Sequence, residues 1–267
     1  MASSGSGYDL SSSTFSPDGR IFQVEYANKA VENAGTCIGI KCTDGVVMGV
    51  AKPLLHKMLL ANSGKRIHTV SDTCGIAMTG FVPDGRQVVN RGRDEATNYK
   101  ETYGQAISPK ILSDRCATFV HYFTLHGSLR PFGATSVIGG YDEETKEHSL
   151  YMVEPNGVAF SYYACAAGKG RQPAKTELEK LELHKTPIST EDAVKQIVRI
   201  IHMLHDSSKD KPFELELSWI CEASGWKHTG VPQDKQKAAV EWAKEQLEEE
   251  EDEDESEDEE DGDDMEE

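Results

Sequence analysis

His202 and His205, three residues apart with Asp206 beside them, are the first side chains whose spacing suggests chemistry. On a helix such a pair shares a face and could hold a metal. No third ligand stands at a fitting spacing, so a packing or surface role is the plainer reading. Gly168-Lys169-Gly170 opens an expected helix in the manner of a phosphate-cradling loop. It lacks the Gly-Lys-Ser/Thr ending, and Pro173 stands where the third glycine of G-x-G-x-x-G would be, so nucleotide binding is not expected. The six cysteines (Cys37, Cys42, Cys74, Cys116, Cys165 and Cys221) are dispersed without a C-x-x-C pair. That argues against a zinc site or a disulfide framework and fits a reducing compartment, cytoplasm or nucleus. Ser256 lies within Asp254-Glu255-Ser256-Glu257-Asp258-Glu259, which suits an acidophilic kinase. A phosphate there would add about −1.5 to −2 charge. No metal and no cofactor is expected.

The elements that must position these residues follow from charge and periodicity. Of the last 20 residues, 248–267, 17 are Asp or Glu and none is Lys or Arg. Taking those 17 from the chain's 46 acids leaves 29 against 28 bases, so the net charge of −18 belongs to the tail and the body is nearly neutral. A basic surface for nucleic acid is therefore not expected. No run approaches ~18 consecutive apolar residues, so no membrane span is expected. The N-terminus has neither a basic nor an apolar leader region, so no signal or transit peptide is expected. Residues 1–14, rich in Ser and Gly, read as a mobile tail, residues 15–247 as one domain, and residues 248–267 as a disordered acidic tail, because like charges repel and nothing apolar anchors them.

Ser16-Pro17-Asp18-Gly19 is a turn signal, with Asp18 placed to cap a helix over 19–33 and Gly35 suited to stop it. Two strand pairs follow, 36–41 with 46–50 around an Asp-Gly turn and 66–70 with 74–79. Helices are expected over 84–103 and after Ser108-Pro109, then strands over 134–141, 150–153 and 158–162. Helices over 173–183 and from Ser189, a strand over 213–221 and a helix over 232–247 complete the chain. Segregated blocks of strands and helices argue an α+β fold, two face-to-face sheets with helix pairs outside.

The segment from Tyr8-Asp9 through Phe15-Ser16-Pro17-Asp18-Gly19-Arg20-Ile21-Phe22-Gln23-Val24-Glu25-Tyr26-Ala27 resembles the N-terminal signature of proteasome alpha subunits. Further matches follow in the family's order: Gly35-Thr36, Asp44-Gly45-Val46-Val47, Thr79-Gly80, Arg130-Pro131-Phe132-Gly133, Pro155-Asn156-Gly157 and Ala167-Gly168-Lys169. The resemblance covers roughly residues 5–230. It implies the four-layer αββα sandwich of N-terminal-nucleophile hydrolases, with an alpha-type helix in front. It also implies a seven-membered outer ring, with other alpha subunits as neighbours, beta subunits below and regulatory particles above, serving protein degradation.

Catalytic relatives in that fold use an N-terminal Thr whose own α-amine is the base. Aligned on the Asp44-Gly45 turn, the nucleophile slot is Gly35, the acid slot Ala51 and the lysine slot Arg66, whose pKa is too high to release a proton near neutrality. Thr36 is one residue late and points to the opposite side of a strand. No catalytic residue, and no enzyme activity of the chain itself, is expected. The resemblance assigns Tyr8, Asp9, Pro17 and Tyr26 to a cluster that steadies an open gate, although residue 10 is Leu where many members carry Arg. The plainer role for Pro17 and Tyr26 is to pack the turn on the helix. The resemblance also assigns Lys65, Arg66 and Gly80 to a pocket for the C-terminal tails of regulators, with Arg66 in place of the family's Lys. Arg binds a carboxylate bidentately, and a plain surface charge is the alternative. Two rival functions stand beside the ring subunit: a Thr hydrolase processed to begin at Thr36, and an acidic chaperone for basic proteins resting on the tail alone.

Overall fold

The computed structural model describes residues 7–60, 62–206 and 210–263, with side chains placed as far as residue 250. The first helix, α1 (Phe22–Glu32), follows a turn in which Gly19 N–H donates to the Ser16 carbonyl and Arg20 N–H to the Ser16 hydroxyl. That turn consumes residues 16–20, so Asp18 does not cap the helix, and Ile21 stands at the N-cap without a side-chain bond. The helix closes at Asn33. Gly35 answers another demand, because a Cβ there would lie 2.0 Å from the Ala51 carbonyl oxygen.

Strands β1 (Cys37–Lys41) and β2 (Gly45–Pro53) pair antiparallel across the Asp44-Gly45 turn, as do β3 (Ile67–Ser71) and β4 (Cys74–Gly80). Helix α2 (Val82–Tyr103) tolerates Gly85 because it presses on β4: a Cβ there would meet the Met78 sulfur at 2.3 Å. Ser108 caps α3 (Pro109–Leu125) through Ile111 N–H. Then come β5 (Ala134–Tyr141), β6 (His148–Val153), β7 (Ala159–Ser161) and β8 (Ala164–Ala167). Helix α4 (Arg171–Lys180) leads to α5 (Thr190–Met203), whose N-cap is Ser189. Strand β9 (Phe213–Cys221), a short 3-10 turn, β10 (Thr229–Gly230) and α6 (Gln233–Asp263) finish the fold.

Two further features differ from expectation. Strand β8, Ala-Cys-Ala-Ala, carries no β-branched or aromatic signal, and pairing with β1 from Cys37↔Ala167 to Ile40↔Ala164 makes it a strand. Helix α6 does not stop at Leu247 but continues into the acidic run as far as Asp263. Glu is a good helix former, a single helix requires no compaction of the charges, and Arg199 on α5 holds Glu250 at 2.7 Å.

The strands form two five-stranded sheets, ordered β10-β9-β2-β1-β8 and β3-β4-β5-β6-β7. Alternation along each strand divides the apolar residues among three cores. Ile38, Ile40 and Val47 join Ile197, Ile201 and Ala239 between the first sheet and α4, α5 and α6. Ile76, Met78 and Ile138 join Val88, Leu112 and Val120 between the second sheet and α2 and α3. Met48, Val50, Val137 and Leu150 lie between the sheets. The result is a four-layer αββα sandwich. All six cysteines are free and buried, two in each core: Cys42 and Cys221, Cys74 and Cys116, Cys37 and Cys165. Among the described residues no helix is long and apolar enough to cross a membrane.

Candidate functional site

The corner where α1 hands the chain to β1 is where a hydrolase of this architecture would work. Here the Gly35 carbonyl accepts from the Thr79 hydroxyl, and Lys169 N–H donates to the Ala34 carbonyl at 2.8 Å. Gly35 is thus an interior residue clamped between both sheets, and its nitrogen is a peptide amide, not an amine. Thr36 is buried, and its hydroxyl accepts from Gly170 N–H at 3.2 Å, spending its oxygen on the entry to α4. Ala51 stands opposite, with its N–H on the Thr36 carbonyl. The next residue, Lys52, is buried with its Nζ 3.2 Å from Glu214 and 3.4 Å from Glu216. Arg66 is half-buried, and burial together with Arg86 lowers its pKa from the ordinary guanidinium value. No side chain at this corner combines a nucleophile with a base.

A cleft of about 380 Å³ opens beside the corner, lined by Pro53, Lys169, Leu204, His205 and Phe213 among others. His202 and His205 both pack edge-on against Phe213, with ring centroids 5.2 and 4.8 Å away. Burial lowers the His202 pKa. The Gly168-Lys169-Gly170 segment turns over the Gly35 carbonyl in a left-handed conformation at Gly168, and Lys169 Nζ pairs with Asp210 at 2.6 Å.

At the N-terminal end, the structure brings Asp9 to α1. The Tyr26 hydroxyl lies 3.4 Å from Asp9 Oδ2, and Gln23 Nε2 donates to the Asp9 carbonyl. Burial, then Asp9, raises the Tyr26 pKa. Pro17 sits in the exposed turn that redirects the segment, and Tyr8 and Leu10 are exposed. Between them and the turn, buried Ser12 reaches the carbonyls of His126 at 2.9 Å and Leu129 at 3.1 Å. The third group follows from strand register. Met78 N–H donates to the Arg66 carbonyl, so Lys65 and Arg66 lie at the head of β3 beside Gly80 at the end of β4. Ser256 falls on α6, where side chains lie outside the described residues.

Two family models divide the chain at α1: residues 8–30 match the N-terminal signature of A-type proteasome subunits, and residues 31–220 match the general model of the proteasome subunits. This chain belongs to the proteasome alpha-subunit family. Among its relatives, an alpha type-3 proteasome subunit from Acanthamoeba castellanii is 53% identical over 92% of this chain and 96% of the relative. Those from Oryza sativa subsp. japonica and Dictyostelium discoideum are 51% and 48% identical over 93% of this chain, and 98% and 99% of theirs.

Three parts of the alpha-type site were not legible as function. Ser12 looked like one more serine of a polar tail, and only its burial reveals the anchor. Asp84 binds Arg130 bidentately at 2.6 and 2.8 Å and accepts from Gly133 N–H at 2.9 Å, fixing Arg130-Pro131-Phe132-Gly133 beside Tyr26 and Ala27. Burial opposes these bonds, yet they hold Asp84 below the usual carboxylate range. The alternating Glu-Leu-Glu-Leu of β9 reads as a half-exposed strand, whereas its two carboxylates neutralise Lys52.

Proposed function

We propose that this chain is a non-catalytic member of the outer alpha ring of the 20S proteasome core, in cytoplasm and nucleus. Its N-terminal segment contributes to the gate over the axial pore. The observation that carries this reading is Gly35, held by Thr79 and Ala34–Lys169 bonds inside a continuous chain, where a catalytic relative would need a free N-terminal threonine. Tyr8, Asp9, Pro17 and Tyr26 are proposed as gate residues, and the Asp9–Tyr26 approach supports the grouping. Lys65, Arg66 and Gly80 are proposed to receive a regulator's C-terminal carboxylate, the Arg66 guanidinium taking it bidentately. Ser256 is proposed as a substrate of an acidophilic kinase.

The test is made on the particle purified with this chain in it. A mass many times that of the chain, an N-terminus that does not begin at Thr36, and no covalent adduct of an epoxyketone on Thr36 are expected. Deleting residues 2–12 should raise basal peptide hydrolysis by the particle. A chain recovered as a monomer, or a mature N-terminus at Thr36, overturns the reading.

A further inference from the structure

An acid in the first turn of a helix ordinarily serves that helix's own free N–H groups. Asp84, buried in the first turn of α2, serves another segment. Both of its oxygens reach the loop that joins α3 to β5. Oδ2 accepts from Arg130 Nη1 at 2.6 Å and from Gly133 N–H at 2.9 Å, and Oδ1 accepts from Arg130 Nη2 at 2.8 Å. A bidentate Arg–carboxylate pair fixes orientation as well as distance. Arg130 Nη1 also donates to the Pro131 carbonyl at 3.0 Å, so the guanidinium is folded back on its own backbone.

The loop has other fastenings to the body. Phe132 is buried against Phe119 and Phe123, with ring centroids 5.5 and 4.4 Å away. Phe81 N–H donates to the Gly133 carbonyl at 2.7 Å. A Cβ at Gly133 would lie 3.2 Å from the Ala30 Cβ of α1. What the carboxylate adds is a fixed setting of the backbone at Arg130.

That setting acts one peptide upstream. The Leu129 carbonyl shares a planar peptide with the Arg130 nitrogen, so a fixed backbone at Arg130 limits the directions open to that oxygen. It is one of the two carbonyls that accept from buried Ser12, Leu129 at 3.1 Å and His126 at 2.9 Å. Leu129 N–H closes the turn on the His126 carbonyl at 3.0 Å, so the two acceptors are held as a pair. At Gly127 between them, a Cβ would come 2.7 Å from the Ser11 hydroxyl, so the segment lies directly on this turn. Asp84, Arg130, Leu129 and Ser12 thus link α2 to the N-terminal segment without a gap.

We infer that Asp84 is a positioning residue for the N-terminal segment: through Arg130 it aims the Leu129 carbonyl that seats Ser12. Its consequence for peptide hydrolysis rests on the gate reading above.

The experiment measures hydrogen exchange over residues 8–14, and basal peptide hydrolysis, on assembled particles carrying D84N, S12A or both. D84N keeps the side chain's shape but turns one acceptor into a donor facing a guanidinium. It should speed exchange over 8–14 by about two- to fivefold, the ceiling being loss of the whole Ser12 bond. On the S12A background D84N should add nothing, because the seat it aims is already empty. Glu177→Gln is the control. Glu177 on α4 also holds two cations, Lys180 at 2.6 Å and Arg199 at 2.7 Å. Its loss should lower the melting temperature of the particle and leave exchange over 8–14 unchanged. Should D84N fail to assemble, Arg130→Lys carries the same test, since that side chain is mostly exposed and lysine keeps the charge but loses the fork. Unchanged exchange over 8–14 overturns the inference. So does a D84N or R130K factor that is the same with and without S12A, the signature of independent sites. Faster, non-additive exchange with unchanged hydrolysis upholds the positioning and overturns the gate reading instead.

Discussion

Ser12→Ala isolates the anchor of the N-terminal segment. The Ser12 hydroxyl has one proton to share between the carbonyls of His126 and Leu129, at 2.9 and 3.1 Å. The His126 carbonyl keeps a second donor in Leu129 N–H at 3.0 Å. The substitution therefore removes one net hydrogen bond, about 1 kcal/mol, and leaves little unsatisfied behind. That multiplies the population of the released segment about fivefold. Hydrogen exchange of the amides of residues 8–14 in the assembled particle should speed up by about that factor, while amides in β1 and β2 exchange unchanged. Basal peptide hydrolysis by the same particle should rise. Unaltered exchange over 8–14 would refute the anchor. Faster exchange with unaltered hydrolysis would keep the anchor and refute its connection to the gate.

Burial lowers the His228 pKa to about 4 from an ordinary 6.5, with His68 adding to the effect. The folded chain thus binds fewer protons than the unfolded one between those values. Stability is full above about pH 6.5 and falls toward about pH 4, by ~3 kcal/mol, and His228→Asn should flatten that slope in urea titrations across pH. Lys52→Ala leaves Glu214 and Glu216 crowded without their cation and should cost about 3 kcal/mol in denaturant unfolding. Adding Glu216→Gln to it should recover part of the loss, and strict additivity would refute the coupling. Gly85→Ala should destabilise by about 1–2 kcal/mol through contact with Met78, despite the better helix propensity of alanine. A gain in thermal stability would show that Met78 has room to move.

The layered fold was readable because its blocks carry strong local signals. Ser108-Pro109 and Ser189 mark helix starts that the structure keeps, and the expected strands 134–141 and 213–221 form with the expected ends. What escaped depended on distant partners. Strand β8 is four small residues that only β1 makes into a strand. The start of α1 was misplaced because the Ser16 hydroxyl competes with Asp18 for the first free N–H groups. At the site, the missing nucleophile could be read from Gly35, Ala51 and Arg66 by type alone. The Lys52 cluster could not, since its members lie some 160 positions apart in the chain and meet only through the β2–β9 register.

The distribution of the thiols has a practical consequence. Burial pushes Cys74 up to about 11, and Cys116 and Cys165 up to about 12, so almost no thiolate exists at neutral pH for an alkylating reagent to capture. Each stratum of the sandwich holds its own pair of buried sulfurs. Timed alkylation followed by peptide mass mapping would therefore read the opening of each stratum separately, a three-channel clock for disassembly that requires no engineered label.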